Sequence, residues 1–371
     1  MKRIPEDAAA ACGAAAFDPG FSAAVIAWQH CHGRHDLPWQ NTRDPYRIWL
    51  SEIMLQQTQV AAVIPYYQRF LERFPDVASL AGAAQEDVMA LWSGLGYYSR
   101  ARNLHRCAQR VVAEHGGRFP EDPALLAELP GIGRSTAAAI AAFAFGARAA
   151  ILDGNVKRVF CRAFGIEGFP GARAVEQALW ERAQALLPER EVEAYTQGLM
   201  DLGATVCTRG RPACGRCPLQ QRCAAHAGGR VHLLPTPRPA KAIPTRSTVM
   251  LVIESQDRVL LEQRPDSGIW GGLLSLPEVE ADGDRNAGLA RAATPFGMPE
   301  AFEALQPFTH VFTHFRLQVA PFRTRIAHIV PFAGEQRHVW VAKSELKDAA
   351  LPAPVKKLLL NLYRDDASLF E

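Results

Sequence analysis

The rhythm of apolar and polar positions changes once along this chain. From about Phe21 to Ala225 apolar residues recur at helical spacing, and no stretch sustains the period-two alternation of a strand. Asp44-Pro45 reads as an N-cap followed by proline at the first helical position, and it predicts a helix from Tyr46 to about Ala62. Asp122-Pro123 gives the same start signal before the apolar stretch ending at Leu129. Pro130-Gly131-Ile132-Gly133 breaks that helix, and the uncharged run from Ser135 to Ala147 predicts a buried helix directly after it. This part of the chain is expected to be all-α.

Between Leu233 and Arg246 the prolines Pro235, Pro237, Pro239 and Pro244 mix with Arg238, Lys241 and Arg246 and no acid, the composition of a semi-rigid basic linker. Beyond it the pattern becomes that of strands. The runs from Thr248 to Ile253 and from Arg258 to Leu261 flank a polar turn at Ser255 to Asp257, as in a hairpin. From His314 to Phe322 the residues Phe315, Leu317 and Val319 face one way and His314, Arg316 and Gln318 the other. Val355, Leu358, Leu359 and Leu362 take helical spacing in a last amphipathic helix, so this domain is expected to be α+β.

A chain of 371 residues exceeds the usual single core, which predicts two domains. With 48% apolar and 21% charged residues it has the composition of a soluble globular protein. A net charge of +3 does not by itself call for nucleic acid, and any affinity for it must come from local clusters of Lys and Arg. The Ala-rich start, residues 1–20, lacks the apolar core of a signal peptide and reads as a frayed tail. The longest uncharged apolar run is too short to span a bilayer. A cytoplasmic protein is expected.

Several residues invite chemistry, each beside a plainer reading. Gly131 and Gly133 stand in a tight turn ahead of a helix N-terminus, where bare N–H groups and the helix dipole favour a phosphate oxygen. The same turn can simply join two packed helices. Glu52 lies in the otherwise apolar Ser51-Glu-Ile-Met-Leu55, where an unpaired carboxyl is costly to ionise and its pKa should rise. Read alone, it also fits the polar side of an amphipathic helix, and Asp153 also fits the cap of a helix starting near Asn155. Of the eight cysteines, Cys12, Cys31, Cys107 and Cys161 are scattered like small buried hydrophobes. The other four form Cys207-x6-Cys214-x2-Cys217-x5-Cys223, and four thiolates bind zinc or an iron–sulfur cluster. Spacing alone leans to zinc, although a two-CxxC knuckle is absent.

Taken together these motifs resemble the endonuclease III and MutY superfamily of base-excision glycosylases. The resemblance runs from about Phe21 to Tyr363. It is carried by Leu37-Pro38-Trp39, Trp49-Leu-Ser-Glu-Ile-Met-Leu-Gln-Gln-Thr-Gln59, the hairpin Leu129 to Thr136, the stretch Leu152 to Arg158 and the cysteine spacing. It implies an all-α N-terminal helix-hairpin-helix glycosylase domain over 21–226 with a [4Fe-4S] loop at 207–223. It further implies a linker over 227–246 and an α+β Nudix-like C-terminal domain over 247–371, the latter signalled by Gly268-Ile-Trp-Gly-Gly-Leu-Leu-Ser-Leu-Pro-Glu278.

The activity implied is that of a monofunctional N-glycosyl hydrolase of base excision repair. It would flip and release adenine mispaired with 8-oxoguanine or guanine in double-stranded DNA. Breaking that bond requires a protonated leaving base and a stabilised sugar cation, which two carboxylates in different surroundings can divide between them. The resemblance makes Glu52 the acid at adenine N7. Asp153 then steadies the oxocarbenium-like sugar, as a charge or by a transient covalent bond, and Asn155 supports the reaction centre. Leu37, Trp39, Gln197 and Ser135 are implied pocket residues. Gln57, Leu95 and Tyr97 are implied to enter the duplex, and Gly131, Gly133, Arg209 and Arg211 to meet DNA. The four clustered cysteines are implied to hold a structural [4Fe-4S] cluster. Phe312, Thr313 and His314 match a loop that senses 8-oxoguanine, with threonine where the family has serine.

Two residue types separate this reading from its rivals. Bifunctional relatives carry a Lys two positions after the second hairpin glycine, where an amine forms a Schiff base with the sugar. Here that position is Ser135, which cannot form an imine, and the neighbouring Arg134 stays protonated. This disfavours an endonuclease III-like pyrimidine glycosylase with lyase activity. The presence of both Glu52 and Asp153 disfavours a non-catalytic iron–sulfur DNA-binding protein. From Asn286 onward the sequence lacks the acidic cluster that a Nudix hydrolase needs for Mg²⁺, which disfavours a nucleotide pyrophosphatase. A bacterial-like, nucleoid-associated monomer is expected.

Overall fold

The computed structural model describes residues 19–239, 243–265, 268–279, 284–330 and 337–364. The expected tail, apart from its last two residues, lies outside them with Cys12, as do linker residues 240–242. The helices before the linker are α1 (Pro19–His32), α2 (Pro45–Leu55), α3 (Val60–Arg73), α4 (Val77–Ala81), α5 (Gln85–Trp92) and α6 (Ser99–His115). They continue with α7 (Pro123–Ala127), α8 (Arg134–Phe145), α9 (Gly154–Ala163), α10 (Arg173–Ala185), α11 (Val192–Asp201) and α12 (Ala224–Ala227). Among the described residues none is long and apolar enough to cross a membrane.

The chain divides into two compact units, Met1–Gly82 with Arg106–Ala240, and Ala83–His105 with Lys241–Glu371. α5 and the start of α6 lie with the strands in the second of these units, where their side chains find partners. Tyr98 donates to the Leu351 carbonyl at 3.3 Å, and Arg102 donates to the Gly271 carbonyl.

In the first unit the local signals act as read, with one correction. Asp44 accepts from the Tyr46 N–H at 2.9 Å with Pro45 at the first helical position, and α2 then buries Ile48, Trp49, Leu50, Ile53 and Met54. The helix does not run on to Ala62. Gln56 leaves helical geometry and Gln57 takes φ 57°, so α2 stops at Leu55 and α3 restarts at Val60. The apolar spacing continues through a break that the backbone makes, which is why periodicity missed it. Alanines line α8 from Ala137 to Ala142 and are buried, letting it pack closely on α2, α7 and α11. A second packed cluster joins Phe21 and Val25 of α1 to Val156, Phe160 and Leu199.

The second unit is built on one sheet of β1 (Thr245–Ser255), β2 (Arg258–Gln263), β3 (Leu274–Ser275), β4 (Glu278–Val279), β5 (Glu303–Ala304), β6 (Phe308–Val311), β7 (Arg316–Arg325) and β8 (His338–Ala342). Its order is β3-β2-β1-β7-β5, with β4 on β1, β6 on β7 and β8 on β2. The β1–β2 hairpin turns where the polar residues indicated, Ser255 pairing with Arg258. β1 lies parallel to β7 from Thr245 opposite Arg316 onward, so it begins inside the expected linker. Backbone pairing, not apolar pattern, sets that start. α13 (Arg285–Ala293) places Leu289 and Ala293 over Val249, Leu251 and Ile253, and α14 (Ala353–Leu362) buries Val355 and Leu359.

Glu254, near the end of β1, ties these layers together and is only 2% exposed. Arg323 of β7 donates to its two oxygens at 2.7 and 3.1 Å, Tyr363 at the end of α14 donates at 2.7 Å, and Lys343 lies 3.6 Å away. Burial alone would raise the Glu254 pKa. The hydrogen bonds from Arg323 and Tyr363 and the two cationic charges outweigh it and hold the carboxyl below its ordinary value. Glu254→Gln leaves buried cations uncompensated and is expected to cost this unit about 3–5 kcal/mol, read by denaturant unfolding. Because the folded-state pKa is depressed, this contribution is present above the ordinary Glu value of 4.5 and fades as pH falls through the folded value. A variant as stable as the wild type at pH 7 contradicts the network's role.

Candidate active site

One face of α2 opens onto a cleft of about 910 Å³. Ile48, Ser51, Glu52 and Leu55, three and four residues apart, line it together with Leu37, Trp39 and Gln197. The turn that carries Leu37 and Trp39 is held by Gln40, which accepts from the Leu37 N–H at 3.1 Å and donates to the Arg34 carbonyl at 2.9 Å. Trp39 is buried against the edge of Tyr67, with ring centres 5.4 Å apart. No hydrogen bond or cation among the described residues holds the Glu52 carboxyl. Burial pushes its pKa up to about 8, and the nearby charge of Asp153 pushes in the same direction.

Asp153 satisfies both of its sequence readings. It is the N-cap of α9, Oδ1 accepting from the Val156 N–H at 2.8 Å, and it lies close enough to Glu52 to shift it. Asn155 donates to Oδ2 at 3.2 Å. Burial raises the Asp153 pKa, against the N–H bonds from Val156 and Asn155 and the charge of Arg158. Arg158 stands behind this pair, a role that no motif marks. Its guanidinium donates to Asn155 Oδ1 at 2.8 Å, to the Gly203 carbonyl at 2.6 Å and to the Cys207 carbonyl at 2.7 Å. Its place three residues after Asn155 on one helix was the available signal. Gly203 sits in a π-helical turn over Leu202–Val206, and a Cβ there would stand 2.5 Å from the Asn155 Cβ, so only glycine fits.

Ser135 does not line the cleft. Its Oγ accepts the Leu152 N–H at 2.9 Å, bracing the first turn of α8 against the strand of chain that leads into Asp153. Ahead of it, Gly131 has φ 79° and Gly133 is the N-cap of α8 with no side chain capping it. A Cβ on Gly133 would meet nothing within 4 Å, so the backbone at this helix start lies beside open space. Gln57 is exposed on the same unit in a left-handed conformation. Tyr97, in the other unit, shares that conformation at φ 50° and is 47% exposed, whereas Leu95 is buried.

Cys207, Cys214, Cys217 and Cys223 are half-buried. Burial pushes the Cys217 thiol up to about 11, and the other three cysteines each oppose its ionisation, so the four sulfurs share one neighbourhood. Backbone N–H groups of Leu219 reach Cys217, those of Ala225 and His226 reach Cys223, and Arg162 donates to the Cys207 sulfur at 3.4 Å. Among the described residues no three His, Cys, Asp or Glu side chains are grouped to hold a single metal ion. Arg209 and Arg211 on this loop are exposed. Cys107 and Cys161 are buried as their spacing suggested. Cys31 is not, because it follows the buried Phe21, Val25 and Trp28 at the exposed end of α1.

In the second unit, Phe312 to Phe315 form the turn between β6 and β7, closed by the Phe312 N–H on the Phe315 carbonyl at 2.9 Å. Phe312 stacks on Phe315 at 4.7 Å and leans on Trp270 at 5.6 Å, which leaves Thr313 and His314 exposed at the tip. α13, which follows β4, carries no acidic residue.

Comparison with known proteins places both parts of the chain in known families. Residues 50–185 match the HhH-GPD superfamily base excision DNA repair proteins, and residues 248–361 match the NUDIX domain. An adenine DNA glycosylase of Buchnera aphidicola subsp. Acyrthosiphon pisum is 35% identical over 346 residues, covering 93% of this chain and 98% of that protein. The Homo sapiens adenine DNA glycosylase is 34% identical, covering 91% of this chain and 73% of its own length. The solved structure of a thermostable thymine-DNA glycosylase superposes with a TM-score of 0.52 at 31% identity, over 56% of this chain and 95% of that one. With helical residues of the base-excision repair superfamily at one end, a Nudix-like sheet at the other and this likeness spanning both, the chain belongs to the adenine DNA glycosylase family.

Proposed function

We propose that the chain hydrolyses adenine from A·8-oxoguanine and A·G mispairs, with Glu52 as the acid and Asp153 as the counter-charge. The observation that carries this reading is Glu52 itself: a carboxyl without a cation, raised to about 8, lining a cleft with Leu37 and Trp39, while Asp153, which is not among the cleft-lining residues, lies near enough for its charge to act on it. At neutral pH Glu52 holds a proton and can hand it to N7 of an extruded adenine. The N9–C1′ bond then breaks with its electron pair going to the base. Asp153 faces the resulting cation; both its oxygens accept N–H bonds, which suits the ionised form. Water adds to C1′ and loses a proton. Asn155, held by Arg158, keeps Asp153 in place. Ser135 braces the Asp153 loop and offers no amine, so strand cleavage through an imine does not follow.

The open α8 N-terminus behind Gly131 and Gly133, with Arg209 and Arg211, is the proposed phosphate contact. Gln57 and Tyr97, held exposed in strained backbone, are the proposed duplex-entering side chains; the burial of Leu95 suits it to supporting Tyr97. Phe312 anchors the β6–β7 turn, and Thr313 and His314 are the groups offered to 8-oxoguanine. The four clustered cysteines suit a [4Fe-4S] cluster: their sulfurs share one neighbourhood, and backbone N–H groups and Arg162 donate toward them, the surroundings that stabilise thiolate ligands. Bound there, a cluster would supply a cross-link for the Arg-bearing loop.

Glu52→Gln is expected to bind mispaired DNA yet slow single-turnover adenine release by ~10²–10⁴-fold, while the wild-type rate falls as pH rises through about 8. Wild-type-like release by that variant removes Glu52 from the chemistry. The same substitution should raise stability at pH 7 by on the order of 1–3 kcal/mol. The folded state holds the Glu52 proton from the ordinary 4.5 up to about 8, so wild-type stability declines across that window and the variant's does not. Comparing adenine opposite 8-oxoguanine, guanine and thymine tests the mispair; His314→Ala should narrow the preference for 8-oxoguanine over guanine by about tenfold. Cys217→Ser should lose iron and acid-labile sulfide together and open the 207–223 loop to protease. A wild-type protein carrying one zinc and no sulfide overturns the cluster.

A further inference from the structure

An amide side chain can offer a base either its carbonyl oxygen or its NH₂ group, and the two select opposite partners. Gln197 lines the cleft from α11, and the rest of that helix determines which end it offers. One turn on, Asp201 is fully buried. Arg34 clamps its carboxylate: the Arg34 backbone N–H donates to Oδ2 at 2.8 Å, and the guanidinium Nε and Nη2 reach Oδ1 at 2.7 and 2.5 Å. Gln197 Nε2 donates to the same Oδ1 at 2.8 Å. A carboxylate held by a guanidinium only accepts, so the NH₂ end of Gln197 must turn to it and Oε1 is left for a ligand.

We infer that Asp201, clamped by Arg34, is a specificity-positioning residue that fixes Gln197 as a hydrogen-bond acceptor toward the extruded base. The acceptor suits a purine with an exocyclic amine at C6, as in adenine, and opposes one with a carbonyl there, as in hypoxanthine, where two acceptors would meet. The buried pair explains how the choice is held. A free Gln can rotate its amide to suit either base; one tied to a buried charge loses a charge-assisted bond on turning. The inference rests on the reading of this cleft as the adenine pocket. It adds two residues, Arg34 and Asp201, that sequence motifs did not mark, although Gln197 and Asp201 stand at the i, i+4 spacing at which such side chains meet on a helix.

The test is the ratio of single-turnover rates for adenine and hypoxanthine release, each opposite 8-oxoguanine, using the full chain. In Asp201→Asn the new NH₂ can donate to Gln197 Oε1 and turn the amide, so the adenine-to-hypoxanthine ratio should fall at least about tenfold from the wild-type value. Arg34→Leu with Asp201→Leu removes both buried charges together, a change that folds tolerate far better than removing one. It leaves Gln197 untethered, and the ratio should fall to a value between the other two. Gln197→Leu should abolish the preference that the amide supplies, and Asp201→Asn added to it should change the ratio no further. A purely structural Asp201 would slow both substrates equally and leave the ratio at the wild-type value in both Asp201 variants, which overturns the clamp alone. An unchanged ratio in Gln197→Leu overturns the pocket reading and the clamp with it.

Discussion

A carboxyl group keeps its proton at neutral pH only where water is scarce and no cation stands ready to replace it. Everything proposed for this chain depends on α2 providing such a place at Glu52. Its face of Ile48, Ser51 and Leu55 offers no base, Leu37 and Trp39 line the same cleft, and the charge that acts on Glu52 is the like charge of Asp153. An unpaired acid of this kind opposes folding, so its presence in an otherwise well-packed helix signals that something other than stability holds it there.

The remainder of the first unit gives the second carboxyl a different set of partners a short distance away. Asp153 is fixed as a helix cap by Val156, restrained by Asn155, and backed by an arginine whose other bonds reach the Gly203 and Cys207 carbonyls. The chain passes Asn155 so closely at Gly203 that a single methyl would displace it. In this way the order of the cysteine loop and the aim of the Asp153 carboxylate share one set of hydrogen bonds. The Ser135 hydroxyl closes the other side, joining the first turn of α8 to the residue just before Asp153. The site is thus built from caps and glycines more than from a dedicated scaffold.

Much of this was legible before any coordinates, and the parts that were not share physical causes. Caps with proline behind them, at Asp44 and Asp122, are local chemistry and were read correctly, as was the hairpin turn at Ser255 to Asp257. The Glu52 environment could be read because an acid inside an apolar run is conspicuous. The break at Gln56 and Gln57 was missed because side-chain spacing carried on while two backbone angles changed. The parallel pairing of β1 with β7, which starts β1 at Thr245, depends on a partner some seventy positions away along the chain, roughly, and leaves no local mark. Likewise Ser135 was assigned to the pocket by motif position, whereas a hydrogen bond to Leu152 turns it toward the backbone. Arg158 and Asp201 escaped notice because their importance lies in whom they touch.

The most direct measurement is a titration of the Glu52 carboxyl itself, followed by its ¹³C resonance in the wild-type protein and in Asp153→Asn. The account predicts a wild-type midpoint near 8 that moves down, yet stays above the ordinary 4.5, when the neighbouring charge is removed and burial remains. A wild-type midpoint at about 4.5, indifferent to Asp153, would contradict it.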